Sequence, residues 1–252
     1  MLYTERAEMI LQQLQLQSIV KIGELSQLLN VSADTVRRDL RSMEQNGLVK
    51  CVRGGACLPE SMASFMNFTG REIVNSELKR EASRKAVGFV KEGDVIALNS
   101  GTTNTILSQE LVSLDCRFTV VTNNYAAINI LMQSPNIHLV AVGGDVDSLE
   151  RSTYGTVCEQ EFASYYPDIA FLSINAVSHN DGFTDFRFHE IGIIQLLAKT
   201  SKRVIAVMDS SKLGKCSKKK VLSRAQVDMV VMDSHISDEV KNKYREKGIT
   251  IL

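Results

Sequence analysis

The sequence predicts an α/β protein in two parts: a small N-terminal helical domain ending in a basic turn, then a larger domain on a mostly parallel sheet. Three observations carry that expectation. The chain has 252 residues and 44% hydrophobic content, enough for a small domain and a second, larger core. Apolar residues recur at spacings of three and four through the first fifty residues. Beyond residue 77, short continuous apolar runs alternate with helical patterns instead.

Ala7, Ile10, Leu11 and Leu14 mark a first helix, and Ile22, Leu25, Leu28 and Leu29 a second. A third is expected over Ser32–Asn46. Ser32 can accept backbone N–H groups of the first turn, Asp34 sits at the positive end of the helix dipole, and Gly47 can take the left-handed stop. Ala33, Val36, Leu40 and Met43 share one stripe of this helix, while Arg37, Arg38 and Arg41 point elsewhere. The short link Leu29-Asn30-Val31-Ser32 has the spacing of a helix-turn-helix, whose later helix enters the DNA major groove. Leu48 to Val52 then predict a short strand, and Arg53-Gly54-Gly55 a turn that makes it a wing reaching phosphate or the minor groove.

Charge supports the same reading locally but not globally. The chain balances 29 Lys and Arg against 29 Asp and Glu, yet Val36–Cys57 holds five cations against Asp39 and Glu44. A charge run is usually a solvated helix face; the caps, the tight link and the wing favour DNA.

After a stretch over 58–76 without a sustained period, read as a linker, a charged helix is expected near Glu77–Val90. Six apolar runs follow: Asp94–Leu98, Phe118–Thr122, His138–Val142, Ile169–Ile174, Val204–Met208 and Val227–Met232. Alternating with helical patterns, they predict parallel strands buried on both faces. Ligands of such sheets sit beyond the carboxyl ends of the strands, where this chain is small and polar. Asn99-Ser100-Gly101-Thr102-Thr103 leads into a helix whose first N–H groups favour an anion. Asn123, Gly143-Gly144, Asn175 and Asp209 end later strands, and Lys212 can supply countercharge. Singly, a Gly-Thr-Thr turn is more often an ordinary helix start and a lysine a solvated one.

Thr35-Val36-Arg37-Arg38-Asp39-Leu40, followed by Gly47-Leu48 and Gly54-Gly55-Ala56, resembles the signature of the DeoR-type bacterial transcriptional repressors. Gly101-Thr102-Thr103, Thr122-Asn123, Gly143-Gly144, Gly155 and Asp209-Ser210-Ser211-Lys212 resemble, in that order, the effector domain of the same family. The resemblance implies a winged helix-turn-helix domain over 1–57 and an effector domain over 77–252 similar in fold to ribose phosphate isomerase. It further implies that a phosphorylated sugar or sugar derivative binds and changes DNA affinity. Ser32, Thr35, Arg37, Arg38, Arg41, Lys50 and Arg53 are the expected DNA-binding set. Asn99, Ser100, Gly101, Thr102, Thr103, Asn123, Gly143, Gly144, Asn175, Asp209 and Lys212 are the expected effector set. The family often has arginine at the position of Cys51, histidine at that of Arg53, and aspartate at that of Asn99.

The five cysteines are scattered without a Cys-x-x-Cys pair and the four histidines lack metal-ligand spacing, so neither a disulfide framework, a metal site nor a cofactor is expected. The N-terminus has no signal-peptide apolar region and no run is long enough for a membrane helix, which points to the cytoplasm. The expected function is a repressor of a carbohydrate-utilisation operon, assembled as a dimer or tetramer on paired half-sites. The alternative is a sugar-phosphate isomerase-like enzyme with a DNA-binding appendage, with Asp145, Asp185, Glu190 and Asp209 as acid–base candidates. Isomerases have no need of the first sixty residues.

Overall fold

The computed structural model describes residues 2–16, 19–58 and 68–252, and the chain divides into two compact units, Met1–Asn75 and Ser76–Leu252. In the first unit, α1 (Tyr3–Leu16) is followed by β1 (Ile19–Lys21), α2 (Ile22–Leu29) and α3 (Ala33–Gln45). The hairpin β2 (Lys50–Val52) and β3 (Gly55–Cys57) comes next, then α4 (Phe68–Ile73). The apolar stripes do what their spacing implies. Ala7, Ile10, Leu11 and Leu14 of α1, Leu25 and Leu29 of α2, and Val36, Leu40 and Met43 of α3 close on one core with Leu48 and Val49.

Three details differ from expectation. Leu28 is 44% exposed, whereas Leu25 and Leu29 are buried and Ile22 packs partly buried on the same core, and Ala33 is half-buried at the helix start. The wing strand begins at Lys50, since Leu48 and Val49 are drawn into the core. The hairpin also gains a third strand: β3 lies between β1 and β2, both pairings antiparallel, with Val20 opposite Ala56 and Cys51 also opposite Ala56. This close approach explains Gly55, where a Cβ would lie 2.0 Å from the Val20 carbonyl oxygen. Of the linker expected over 58–76, residues 59–67 lie outside the described residues, and Phe68–Ile73 is helical.

Arg6 of α1 reaches across to Asp39 of α3. Its Nε and a terminal nitrogen donate to the two carboxylate oxygens at 2.6 and 3.0 Å, with both side chains buried. The pair joins α1 to the inward face of α3.

The second unit holds α5 (Ser76–Ala86), β4 (Val95–Leu98), α6 (Thr102–Leu111), β5 (Phe118–Thr122), α7 (Tyr125–Leu131) and β6 (Ile137–Ala141). A hairpin, β7 (Asp145–Asp147) and β8 (Ser152–Tyr154), leads into α8 (Thr156–Ala163) and β9 (Ile169–Leu172). Then come β10 (Ala176–Ser178), β11 (Gly182–Asp185), α9 (Ile191–Thr200), β12 (Arg203–Val207), β13 (Lys219–Leu222), β14 (Met229–Val231) and α10 (Asp238–Glu246). All six expected runs are strands of one parallel sheet, ordered β14-β12-β9-β4-β5-β6. Alternate residues feed opposite cores: Ala97, Ala170, Leu172 and Ala206 join α8 and α9, whereas Ile96, Leu98, Phe171 and Val207 join α5, α6 and α7. The expected helix over 77–90 ends at Ala86 and tightens into a 3-10 turn over Val87–Phe89. The β7–β8 hairpin and the antiparallel sheet β10-β11-β13 stand apart from the main sheet. Among the described residues, no helix is long and apolar enough to cross a membrane, and no group of three His, Cys, Asp or Glu residues could hold a metal ion.

The buried Arg6–Asp39 pair yields a prediction. Asp39→Ala strands a guanidinium in the first unit's core and should cost about 3–5 kcal/mol, whereas Arg6→Met with Asp39→Leu should cost far less. Urea unfolding followed by circular dichroism compares them; equal losses would mean that the charges are not what holds α1 on α3.

Candidate functional site

On α3 the polar residues divide between ending the helix and facing outward. Ser32 Oγ accepts the Thr35 N–H at 3.1 Å and shares a 2.9 Å hydrogen bond with the Thr35 hydroxyl, so these two residues secure the first turn. Arg37 is exposed and pairs with Asp34 one turn back, and Arg38 and Arg41 are exposed on the same helix. Asp39, counted among the anions of this segment, is turned inward onto Arg6, so the outward face is more cationic than the sequence tally. Lys50 and Arg53 are exposed on the hairpin, and Gly54 takes φ +83° in its turn. Glu44 Oε1 accepts the Cys51 N–H at 2.6 Å and ties the end of α3 to the wing. Burial, with the Glu44 hydrogen bond, pushes the Cys51 thiol up to about 11, so it stays protonated at neutral pH.

In the second unit the sequence-predicted residues gather beyond β4. The first intrahelical bond of α6 runs from Thr105 N–H to the Gly101 carbonyl, leaving the N–H groups of Thr102, Thr103 and Asn104 ahead of it. Lys212, 109 positions later, donates from Nζ to Thr103 Oγ1 at 3.3 Å and to the Ile174 carbonyl at 3.2 Å. Asp209 lies 3.9 Å from the same ammonium. Gly101 has φ +133°, and a Cβ there would lie 2.5 Å from Ser173 Oγ and 2.7 Å from an Arg187 nitrogen. The glycine is demanded by crowding from the protein itself.

Two buried groups outside the expected effector set, Arg187 and Glu190, hold this loop; Glu190 is one of the acid–base candidates of the alternative reading. Arg187 donates to the carbonyls of Ser100 and Ser173, both at 2.7 Å, and grips Asp185 through Nε and a terminal nitrogen at 3.0 and 2.7 Å. Asp185 also accepts the N–H groups of Asn175, at 3.0 Å, and Arg187. Burial alone would raise the Asp185 carboxyl, but the charge and hydrogen bonds of Arg187 outweigh it and hold it below the usual carboxylate range. Glu190, at the start of α9, accepts from Ser100 N–H (3.1 Å), Asn99 Nδ2 (3.3 Å), Asn123 Nδ2 (2.9 Å) and Ser152 Oγ (3.5 Å). Its complete burial raises the carboxyl above the ordinary range despite Arg187 and these donors.

Asn99, Ser100, Gly101, Thr103, Asn123, Asn175, Asp209 and Lys212 thus join one network, with Thr102 beside them in the first turn of α6. Gly143 and Gly144 have other surroundings. Gly143 is exposed, and the nearest neighbours of a Cβ on Gly144 would be the Tyr154 carbonyl at 2.5 Å and Cys158 Cβ at 2.9 Å. Arg187 left one trace in the sequence, a cation flanked by two phenylalanines directly after a strand ending in aspartate.

The Asp185–Arg187 pair is testable by pH. Because the folded state holds Asp185 ionised below its usual range, its contribution is complete above the ordinary aspartate pKa and is lost as the pH falls through the depressed value. Asp185→Asn should therefore lower stability at pH 7 by about 3–5 kcal/mol and flatten acid unfolding. Wild-type urea midpoints at neutral pH would contradict the pair's role.

Residues 6–62 match the DeoR-like helix-turn-helix domain, and residues 74–234 match the DeoR C-terminal sensor domain. The chain is 31% identical to the HTH-type transcriptional regulator GolR of Listeria innocua serovar 6a, over 98% of this chain and 97% of that one. It is 28% identical to the putative aga operon transcriptional repressor of Escherichia coli O157:H7, over 99% and 93% respectively. To the glycerol-3-phosphate regulon repressor of Escherichia coli K12 it is 26% identical, over 92% and 91%. Among solved structures, ribose 5-phosphate isomerase A from Methanocaldococcus jannaschii covers 55% of this chain and 55% of its own, with 21% identity and a TM-score of 0.42. A helix-turn-helix domain followed by a sensor domain, both of one family and together spanning nearly the whole sequence, make this chain a member of the DeoR family of transcriptional regulators.

Proposed function

We propose that the protein represses a carbohydrate-utilisation operon and that a phosphorylated sugar or sugar derivative, bound at the start of α6, sets its grip on operator DNA. The observation that carries this is Lys212 Nζ standing on Thr103 at the N-terminus of α6, where a cation, a hydroxyl and free helix N–H groups converge on the place of an anion. A relative named for a glycerol-3-phosphate regulon agrees with a phosphorylated-carbohydrate setting. An isomerase would need a carboxylate free to move protons. Of the four candidates, Asp185 is engaged by Arg187, Glu190 accepts four hydrogen bonds, Asp209 lies 3.9 Å from Lys212 and Asp145 is exposed on the β7–β8 hairpin, which favours a sensor.

In this reading Arg37, Arg38 and Arg41 face the major groove, Lys50 and Arg53 reach the backbone or minor groove, and Ser32 and Thr35 cap the helix that carries them. The protein works in the cytoplasm as a dimer or tetramer held by residues 77–252, with half-sites a helical turn or a multiple of it apart.

A thermal-shift screen of phosphorylated sugars identifies the effector, since a ligand of the folded state raises the melting temperature. Lys212→Ala should then weaken it roughly tenfold to a hundredfold in calorimetric titration, as expected for one charge-assisted contact, and leave operator binding intact. Equal affinity in both proteins would place the effector elsewhere. Arg38→Ala should cost about 1–3 kcal/mol of operator affinity and relax sequence preference if it reads a base, or flatten the salt dependence if it holds a phosphate. Wild-type operator affinity would remove α3 from the interface.

A further inference from the structure

From Lys212 to Arg224 the chain carries six cations, Lys212, Lys215, Lys218, Lys219, Lys220 and Arg224, and no acidic residue. The four lysines between the ends are all exposed. Their path is set by the fold. Gly214 N–H donates to the Val177 carbonyl at 2.8 Å, Ser217 N–H donates to Thr184 Oγ1 at 2.7 Å, and β13 then pairs with β11 so that Lys219 stands opposite Asp185. Residues directly opposite in a ladder project from the same face. Lys219 therefore shares a face with the aspartate that grips Arg187, and the run begins at the turn that places Lys212 on Thr103.

We propose that Lys215, Lys218, Lys219 and Lys220 form a cationic rim that draws an anionic effector toward Lys212, setting how fast it arrives rather than how long it stays. This rests on the phosphate reading of the α6 site. The cations there are already faced by carboxylates: Arg187 by Asp185, and Lys212 by Asp209 at 3.9 Å, with Glu190 a further buried carboxyl beside them. The long-range attraction for a phosphate must then come from the exposed lysines outside the site, whose charges act over a Debye length of about 30 Å at 0.01 M salt and about 8 Å at physiological salt. A lysine-rich edge strand can alternatively serve only to block pairing with another sheet edge. That role would leave ligand kinetics untouched.

The test uses the full chain and inorganic phosphate, with the dissociation rate taken from phosphorus NMR line shapes and the affinity from titration. Lys215→Gln/Lys218→Gln/Lys219→Gln/Lys220→Gln should lower the association rate about tenfold at roughly 0.01 M ionic strength and match wild type near 0.5 M, with dissociation unchanged. The corresponding four Lys→Arg changes should keep the wild-type rate, and Lys212→Ala should raise dissociation instead. If the glutamine variant melts early, Lys218→Gln/Lys219→Gln provides the same comparison with a smaller effect. Wild-type association in the glutamine variants, while Lys212→Ala still loses phosphate, overturns the rim alone. No saturable phosphate binding by the wild type, or no effect of Lys212→Ala, overturns the site and the rim together. Loss of operator affinity by the glutamine variants without phosphate assigns the lysines to DNA and also overturns the rim.

Discussion

The buried guanidinium of Arg187 is the constraint around which the sensor unit is arranged. An uncompensated cation in that position would be strongly unfavourable, so its surroundings are committed: both oxygens of Asp185 on one side, the carbonyls of Ser100 and Ser173 on the other. Those two carbonyls belong to the segments leaving β4 and β9, neighbours at the middle of the parallel sheet. Arg187 thereby sets the path of the chain into α6. Glu190 repeats the device three residues later, gathering Ser100, Asn99, Asn123 and Ser152 onto one carboxyl. Strand ends joined in this way are preorganised, and a ligand that shifts one of them shifts its partners.

The same logic, with fewer parts, governs the DNA-reading unit. Arg6 and Asp39 join α1 to the inner face of α3, and Glu44 joins its far end to the wing. The outward face carries Arg37, Arg38 and Arg41, with Asp34 paired to Arg37. A chain with equal numbers of cations and anions can bind DNA because its charges are sorted by depth: one carboxylate of α3 is turned into the core while Arg38 and Arg41 stay outside.

The sequence makes some of this legible for clear physical reasons. Parallel strands covered by helices on both sides must be apolar on both faces, so runs such as Phe118–Thr122 stand out, and all six are found within a few residues of their expected bounds. The third helix is equally plain because Ser32 and Gly47 mark its ends. The β7–β8 hairpin and β10-β11-β13 sheet are not, since strands of three or four residues such as Asp145–Asp147 have no measurable alternation. Pairing between distant polar residues is hidden too. Nothing local distinguishes Arg6 from a surface arginine, and Arg187 has only its two flanking phenylalanines; what reveals them is Asp39 or Asp185 arriving at the same place through the fold. The nearness of Lys212 to Thr103 is legible only coarsely, from the rule that ligands sit beyond strand ends and from the family resemblance.

The central claim is that the start of α6 and Lys212 form an anion site inside the sensor unit. A crystal structure of the protein with a phosphorylated sugar bound tests it most directly. The account predicts the phosphate between the Thr102 and Thr103 N–H groups and Lys212 Nζ, with Arg187 still holding the Ser100 carbonyl. A phosphate bound elsewhere in the unit, with the first turn of α6 empty and Lys212 still on Thr103 and the Ile174 carbonyl, would contradict it.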